Sequence, residues 1–237
     1  MRNKWFCYIK IDETNNFVLT SGMEFRNFIN GIRTKPSNIL ILKGSPADCS
    51  FSNNLFMEYI TNEHMESFLK DDVYSYGDFC WVDFEDEDSL KKVTEQELAE
   101  LLYVGHKKMP LSKIVFDSLK NKIIYLCHDD DYWVKVYMLD IKEYKKVIEH
   151  KILTELKGRK KQIAPISDEI MNIMYDYFKN GAVIDFENSY DNGVRIYPIG
   201  EMKCVENIHA KLDRQRNMPR CGLCLDYNPR AKKWKIF

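Results

Sequence analysis

The sequence predicts an α+β fold with a mainly antiparallel sheet built from hairpins, and with helices packed between them. Two observations carry this. Strand-like runs follow one another through tight turns at 12–16, 128–131, 191–193 and 228–231, and such turns join antiparallel neighbours. Between the hairpins lie helical stretches opened by capping signals at Ser21, Thr94, Asp140 and Ser167. Hairpins alternating with helices argue against a doubly wound parallel sheet.

Taken in order, 5–11 and 17–20 read as an N-terminal hairpin. Ser21-Gly-Met-Glu24 has capping-box form and predicts a helix from Met23 to about Ile32, stopped before Pro36. Ile39–Leu42 is a short apolar run, read as a buried strand. Apolar positions at 55, 56, 59, 60, 65, 68 and 69 suit a helix over 51–69. Asp78–Glu85 alternates as a strand, with Cys80, Val82 and Phe84 on one face and Phe79, Trp81, Asp83 and Glu85 on the other. Thr94-Glu-Gln-Glu97 is a second capping box, opening a helix to about His106 with Leu98, Leu101 and Leu102 on its apolar side. Ser112–Leu119 is expected as a short helix, and 122–127 and 132–139 as a hairpin. Asp140-Ile-Lys-Glu143 opens a long basic helix to about Lys157. The stretch 158–165 is the expected linker, so 1–157 is read as the main domain and 166–237 as a C-terminal helix-hairpin-helix-hairpin portion. Packing of that portion on the first as one domain stays an open alternative. In it, Ser167 or Asp168 caps a helix stopped at Asn180-Gly181, 182–186 pairs with 194–199, Glu201–Arg216 is a basic helix, and 223–227 pairs with 233–237.

The chain of 237 residues is 13 % aromatic, enough for a sizeable core rather than a disordered segment. Net charge is −1, so no global field directs it to nucleic acid or membrane. The distribution is uneven. Asp71–Glu100 holds eleven acids against two lysines, while 142–161 holds eight bases against three acids and 203–237 nine against three. Cys7 and Cys127 sit in apolar runs, as reduced packed thiols do. No apolar run approaches the ~20 residues of a membrane span, and the N-terminus lacks a secretory pattern. A soluble cytoplasmic protein is expected, with no membrane partner.

Four constellations could carry chemistry. Asp83 and Glu85, with His106 and His128, could act as acid, base or metal ligands; Tyr76, Asp78 and Trp81 beside them could wall a ligand pocket. His128-Asp129, with His64 and His106, has the residue types of a metal phosphohydrolase set. Asp129–Asp131 with Asp140 and Lys142 suits a magnesium nuclease, the basic helix taking phosphates. Cys204, His209, Cys221 and Cys224 have ligand types suited to zinc, though a spacing of five splits the first two across a helix. Each has a plainer structural reading, as a solvated strand end, hairpin tip, helix cap or packed thiol. No phosphate loop, dinucleotide fingerprint, nucleophile elbow or zinc-protease motif occurs, and no cofactor is expected.

The stretches Asp72–Glu85, Glu97–His106 and Tyr125–Asp130 resemble a group of uncharacterised bacterial proteins of similar length, often labelled oxalate:formate antiporters. That label implies many spanning helices, which this chain lacks, so the resemblance brings no mechanism and no site residues. The reading that remains is a binding or regulatory module acting through an unidentified protein partner. One alternative is a metal-dependent hydrolase or nuclease using the Asp, Glu and His groups between Asp78 and Asp140. Another is a nucleic-acid binder using the basic helices, although nucleic acid is not the expected partner. Homo-oligomerisation stays open.

Overall fold

The computed structural model describes residues 6–43, 50–52, 57–70, 79–105, 109–128, 133–157, 163–188, 193–202, 205–218 and 222–237. The strands are β1 (Phe6–Asp12), β2 (Phe17–Ser21), β3 (Asn38–Lys43), β4 (Ser50–Ser52), β5 (Met57–Ile60), β6 (Cys80–Phe84), β7 (Ile123–His128), β8 (Trp133–Met138), β9 (Ala182–Asp185), β10 (Gly193–Pro198), β11 (Leu223–Asn228) and β12 (Lys233–Ile236). The helices are α1 (Phe25–Gly31), α2 (Asn62–Lys70), α3 (Glu87–Lys91), α4 (Glu95–Val104), α5 (Tyr144–Lys157), α6 (Asp168–Phe178) and α7 (Val205–Arg216). Strand pairing is antiparallel, and the fold is α+β as the sequence predicts.

The chain divides into two compact units. A terminal unit comprises Met1–Asp12, Val18–Arg33 and Lys142–Phe237; a central unit comprises Glu13–Phe17 and Thr34–Ile141. The boundary between these units does not fall at the stretch 158–165 read as a linker. The N-terminal hairpin belongs with the C-terminal half because β1 pairs with β9, Cys7 lying opposite Ile184, and α1 packs on α5. Gly31 permits that packing: a Cβ there would lie 2.6 Å from the Val147 Cα. The Tyr8 hydroxyl adds a tie across 192 residues, donating to the Gly200 carbonyl while accepting the Met202 N–H at 3.2 Å.

In the terminal unit the strand order is β2-β1-β9-β10-β11-β12. The paired register puts Phe6, Asp185, Arg195, Cys224 and Lys235 on one face of this sheet. Over that face lies α7, where the His209 ring meets Phe6 edge-on at 4.7 Å. Lys151 of α5 is buried, ion-paired to Glu155 at 2.8 Å and stacked over Phe186, which follows β9.

In the central unit the order is β8-β7-β6-β3-β5-β4. Here β6 is buried along its whole length, and Trp81 stacks on its cross-strand neighbour Tyr125 at 5.4 Å. Asn38 ties three segments together: its amide donates to the Phe84 and Glu85 carbonyls, and its oxygen accepts the Asn62 N–H.

Several local expectations are corrected. Instead of one helix, 51–69 contains β4, β5 and then α2; Tyr59 and Ile60 pair with Leu40 and Ile39, so short strand pairing outweighs a helical apolar pattern. Ser21 ends β2 rather than capping α1, whose N-cap is Glu24 without a side-chain bond. No helix forms over 112–119. Asn121 instead holds that segment as a turn, accepting the Phe116 N–H and donating to the Ile114 carbonyl, while Lys120 adopts φ 52°. A 3₁₀ turn, Ile141–Glu143, precedes α5, and the Glu143 carboxylate accepts the Arg33 N–H. The Thr94–Glu97 capping box and the Ser167 cap form as read, and Gly181 supplies the left-handed stop at φ 79°.

Candidate functional site

The acidic stretch of the sequence falls in the central unit, and the structure sorts its members. Asp83 stands at the end of β6, only 8 % exposed. Its Oδ1 accepts the N–H groups of Lys122 at 2.9 Å and Ile123 at 2.6 Å. Burial pushes its pKa up to about 6, against the opposing pull of those two N–H bonds. This carboxylate therefore serves the backbone at the start of β7. Glu85 is exposed and ion-paired to Lys120, and its N–H donates to the Leu119 carbonyl, pinning the 117–120 turn.

His128 sits at the far end of β7, opposite Trp133. Five strand residues separate it from Ile123, about 17 Å at the usual rise, so Asp83 and His128 do not meet. Trp81 is fully buried and packs in the core on Tyr125. His106, Tyr76 and Asp78 lie outside the described residues, as do Asp129–Asp131 of the nuclease reading. Of the zinc set, Cys204 and Cys221 also lie outside them, His209 stands on Phe6, and Cys224 faces Arg195 across β10–β11. Among the described residues no three Asp, Glu, His or Cys side chains group as a metal site. Nor is any described helix long and apolar enough to cross a membrane.

Beyond β6 the carboxylates turn outward. Glu85, Asp86, Glu87 and Asp88 are all exposed. Asp86 caps α3 by accepting the Ser89 N–H at 2.8 Å, and the Ser89 hydroxyl, together with that N–H, lowers its pKa. Asp88 pairs with Lys91 within the same helix. Glu87 and Glu95 are in no ion pair among the described residues.

The next helix, α4, buries Leu101 and Val104, and it packs on β3. Its N-terminus is fixed by Glu97, which completes the capping box and accepts from Ser118 N–H at 3.1 Å and Ser118 Oγ at 2.7 Å. At 100° per residue, Glu95, Gln96, Ala99, Leu102 and Tyr103 fall on the opposite side. All five are exposed, and Leu102 and Tyr103 are 55 % and 64 % accessible. This corrects the expected apolar side of Leu98, Leu101 and Leu102, since Leu102 points away from the sheet. The sequence carried a signal that was not used. Leu98, Leu101, Leu102, Tyr103 and Val104 span too wide an arc for a short helix to bury against one sheet.

The result is an outward helix face with an apolar pair at its C-terminal end and the Glu95 carboxylate at its N-terminal end. The central unit holds 11 basic against 21 acidic residues, net −10, so this face lies in a strongly negative field. Such a surface can bury a Leu and a Tyr against a partner while carboxylates at the edge select a cationic one.

No known protein family, curated protein or solved structure matches the chain.

Proposed function

We propose that this protein is a docking module for a cationic protein partner, engaged through the outer face of α4 and the neighbouring α3 turn. The observation that carries this reading is the exposed Leu102–Tyr103 pair on a helix fixed at its start by a capping box. Burying both side chains is worth about 3 kcal/mol or more, at roughly 1.5–3 kcal/mol each. Exposed Glu87 and Glu95 supply selection by charge.

The hydrolase alternative has less support, because Asp83 is committed to the backbone of β7. The nucleic-acid alternative loses one of its basic helices. Lys145 of α5 donates to Asn172, Lys146 pairs with Glu149, and Lys151 is buried against Glu155.

The test is fluorescence-anisotropy titration with a short labelled peptide of alternating arginine and leucine, beside an arginine-only peptide. Binding of the mixed peptide, weakened about 100-fold by L102A/Y103A, is the expected result. Equal affinity for both peptides, indifferent to L102A/Y103A, means simple ion exchange and overturns the proposal.

A further inference from the structure

Charge in this chain is segregated by unit. The terminal unit carries 24 basic against 15 acidic residues, net +9, and the central unit carries net −10. Part of the terminal unit's positive charge is spent internally. Lys10 pairs with Glu201, Lys146 with Glu149, Lys151 with Glu155, Lys179 with Asp176, and Arg216 with Asp185, Glu187 and Asp213.

A compact group of bases outside these pairs stands on the hairpin of β11 and β12. Arg230, Lys232, Lys233 and Lys235 fall within six residues, all exposed, and none is in an ion pair among the described residues. The hairpin holds them firmly. Asn228 Oδ1 accepts the N–H groups of Arg230 and Ala231, closing the turn. Trp234 is buried against Tyr227 and donates from Nε1 to the Ala164 carbonyl at 2.7 Å. Between Trp234 and its neighbours the strand alternates, so Lys233 and Lys235 project together on one face, about 7 Å apart. Asp226 is the one acid from 223 to 237, leaving the hairpin net +3.

β12 is also the end strand in the order of its unit, where lysines commonly block unwanted strand pairing. That role accounts for Lys233 and Lys235. It does not account for Arg230 and Lys232, which stand in the turn and guard no edge.

We infer that the cationic partner of the α3–α4 surface is a second copy of this chain, presenting its β11–β12 hairpin. The inference rests on the docking reading of α4 given above. Its ground is complementarity: each copy carries a compact, unspent cationic element and an exposed acidic surface, on units of nearly equal and opposite charge. No other component is needed to satisfy both. Oppositely charged surfaces steer association and lose their attraction as salt screens them, the Debye length falling to about 8 Å near physiological ionic strength.

The experiment is sedimentation velocity on the full chain, across a concentration series, at about 0.02 M and about 0.3 M salt. Wild type is expected to associate at low salt and dissociate at high salt. The exposed-charge variants R230E/K233E/K235E and E87K/E95K are each expected to self-associate at least about tenfold more weakly. Mixed in equal amounts they are expected to reassociate, because each restores the other's complement. Circular dichroism of each variant separates lost contact from lost fold. A wild type that stays monomeric at low salt overturns the inference, as does a mixture that fails to reassociate. If R230E/K233E/K235E loses binding to duplex DNA while its self-association is unchanged, the hairpin serves nucleic acid and the inference fails. The arginine–leucine peptide keeps the two proposals apart. A monomer that still binds it through Leu102 and Tyr103 refutes only self-docking, whereas a monomer that ignores it refutes the docking reading too.

Discussion

Replacing Asp83 separates two effects that the fold places on one carboxylate. Its Oδ1 accepts two N–H groups, of which that of Ile123 is buried. Asp83→Ala strands both donors, and at 1–3 kcal/mol for a buried one and less for the half-buried Lys122 N–H, the cost is about 2–4 kcal/mol. Asp83→Asn keeps an oxygen for both donors and removes only the charge. The pKa of Asp83 in the folded chain is about 6, against 3.8 for an ordinary carboxyl, and burial is the principal cause. The folded protein therefore holds this proton more tightly than the unfolded chain does. The resulting stabilisation is fully present below about pH 4 and is lost as pH rises through 6, an amount of about 3 kcal/mol at 1.36 kcal/mol per unit. Urea unfolding of wild type and Asp83→Asn in parallel, from pH 4 to pH 7, measures it. The difference between the two proteins cancels the other titrating groups. Wild type is expected to lose about 2–3 kcal/mol relative to Asp83→Asn across that range. A difference that does not change with pH would refute the assignment of Asp83 as a buried, backbone-bonded carboxyl.

Three further outcomes follow from the packing. Gly31→Ala places a Cβ 2.6 Å from the Val147 Cα, so α1 must move off α5; a loss of about 1–3 kcal/mol in denaturant unfolding is expected, and no loss would contradict the contact. Arg216→Ala strips the fully buried Asp185 of its two-pronged partner, at 2.8 Å from both oxygens, and should cost about 3–5 kcal/mol near neutral pH. Burial works to raise the Asp185 pKa, but bonds from Arg216 and Asn188 outweigh it and hold it below the usual range, so the wild-type advantage over the variant should shrink as pH falls below about 4. Thr94→Ala removes the α4 cap and should cost about 1 kcal/mol, read as a lower melting temperature, while leaving peptide binding at Leu102 and Tyr103 intact.

Features of this fold set by neighbours in sequence were legible before the structure. The Thr94–Glu97 box, the Ser167 cap, the Gly181 stop and the β9–β10 and β11–β12 hairpins depend on residues a few positions apart. What was not legible depends on distant partners. The assignment of β1 and α1 to the C-terminal half comes from contacts such as Tyr8 with Gly200, which no local pattern encodes. The strands β4 and β5 were masked by apolar spacing that fits a helix equally well until β3 supplies a partner. Asp83 reads in sequence as one of a row of acids; only the arrival of Lys122 and Ile123, some 40 residues later, converts it to a backbone acceptor. The outer face of α4 was half legible. The apolar arc of α4 was visible, but which part of it faces outward is decided by the packing of Leu101 and Val104 on the sheet side.

Site-specific photo-cross-linking tests the central claim most directly. A photoreactive residue placed at Ala99, in the middle of the outer face of α4, should capture in living cells a protein that presents a basic surface, which on the self-docking inference is a second copy of this chain. A control at Thr154, exposed on α5, should not, and L102A/Y103A should abolish the Ala99 product. The same products from both positions, or an Ala99 product indifferent to L102A/Y103A, would contradict the account.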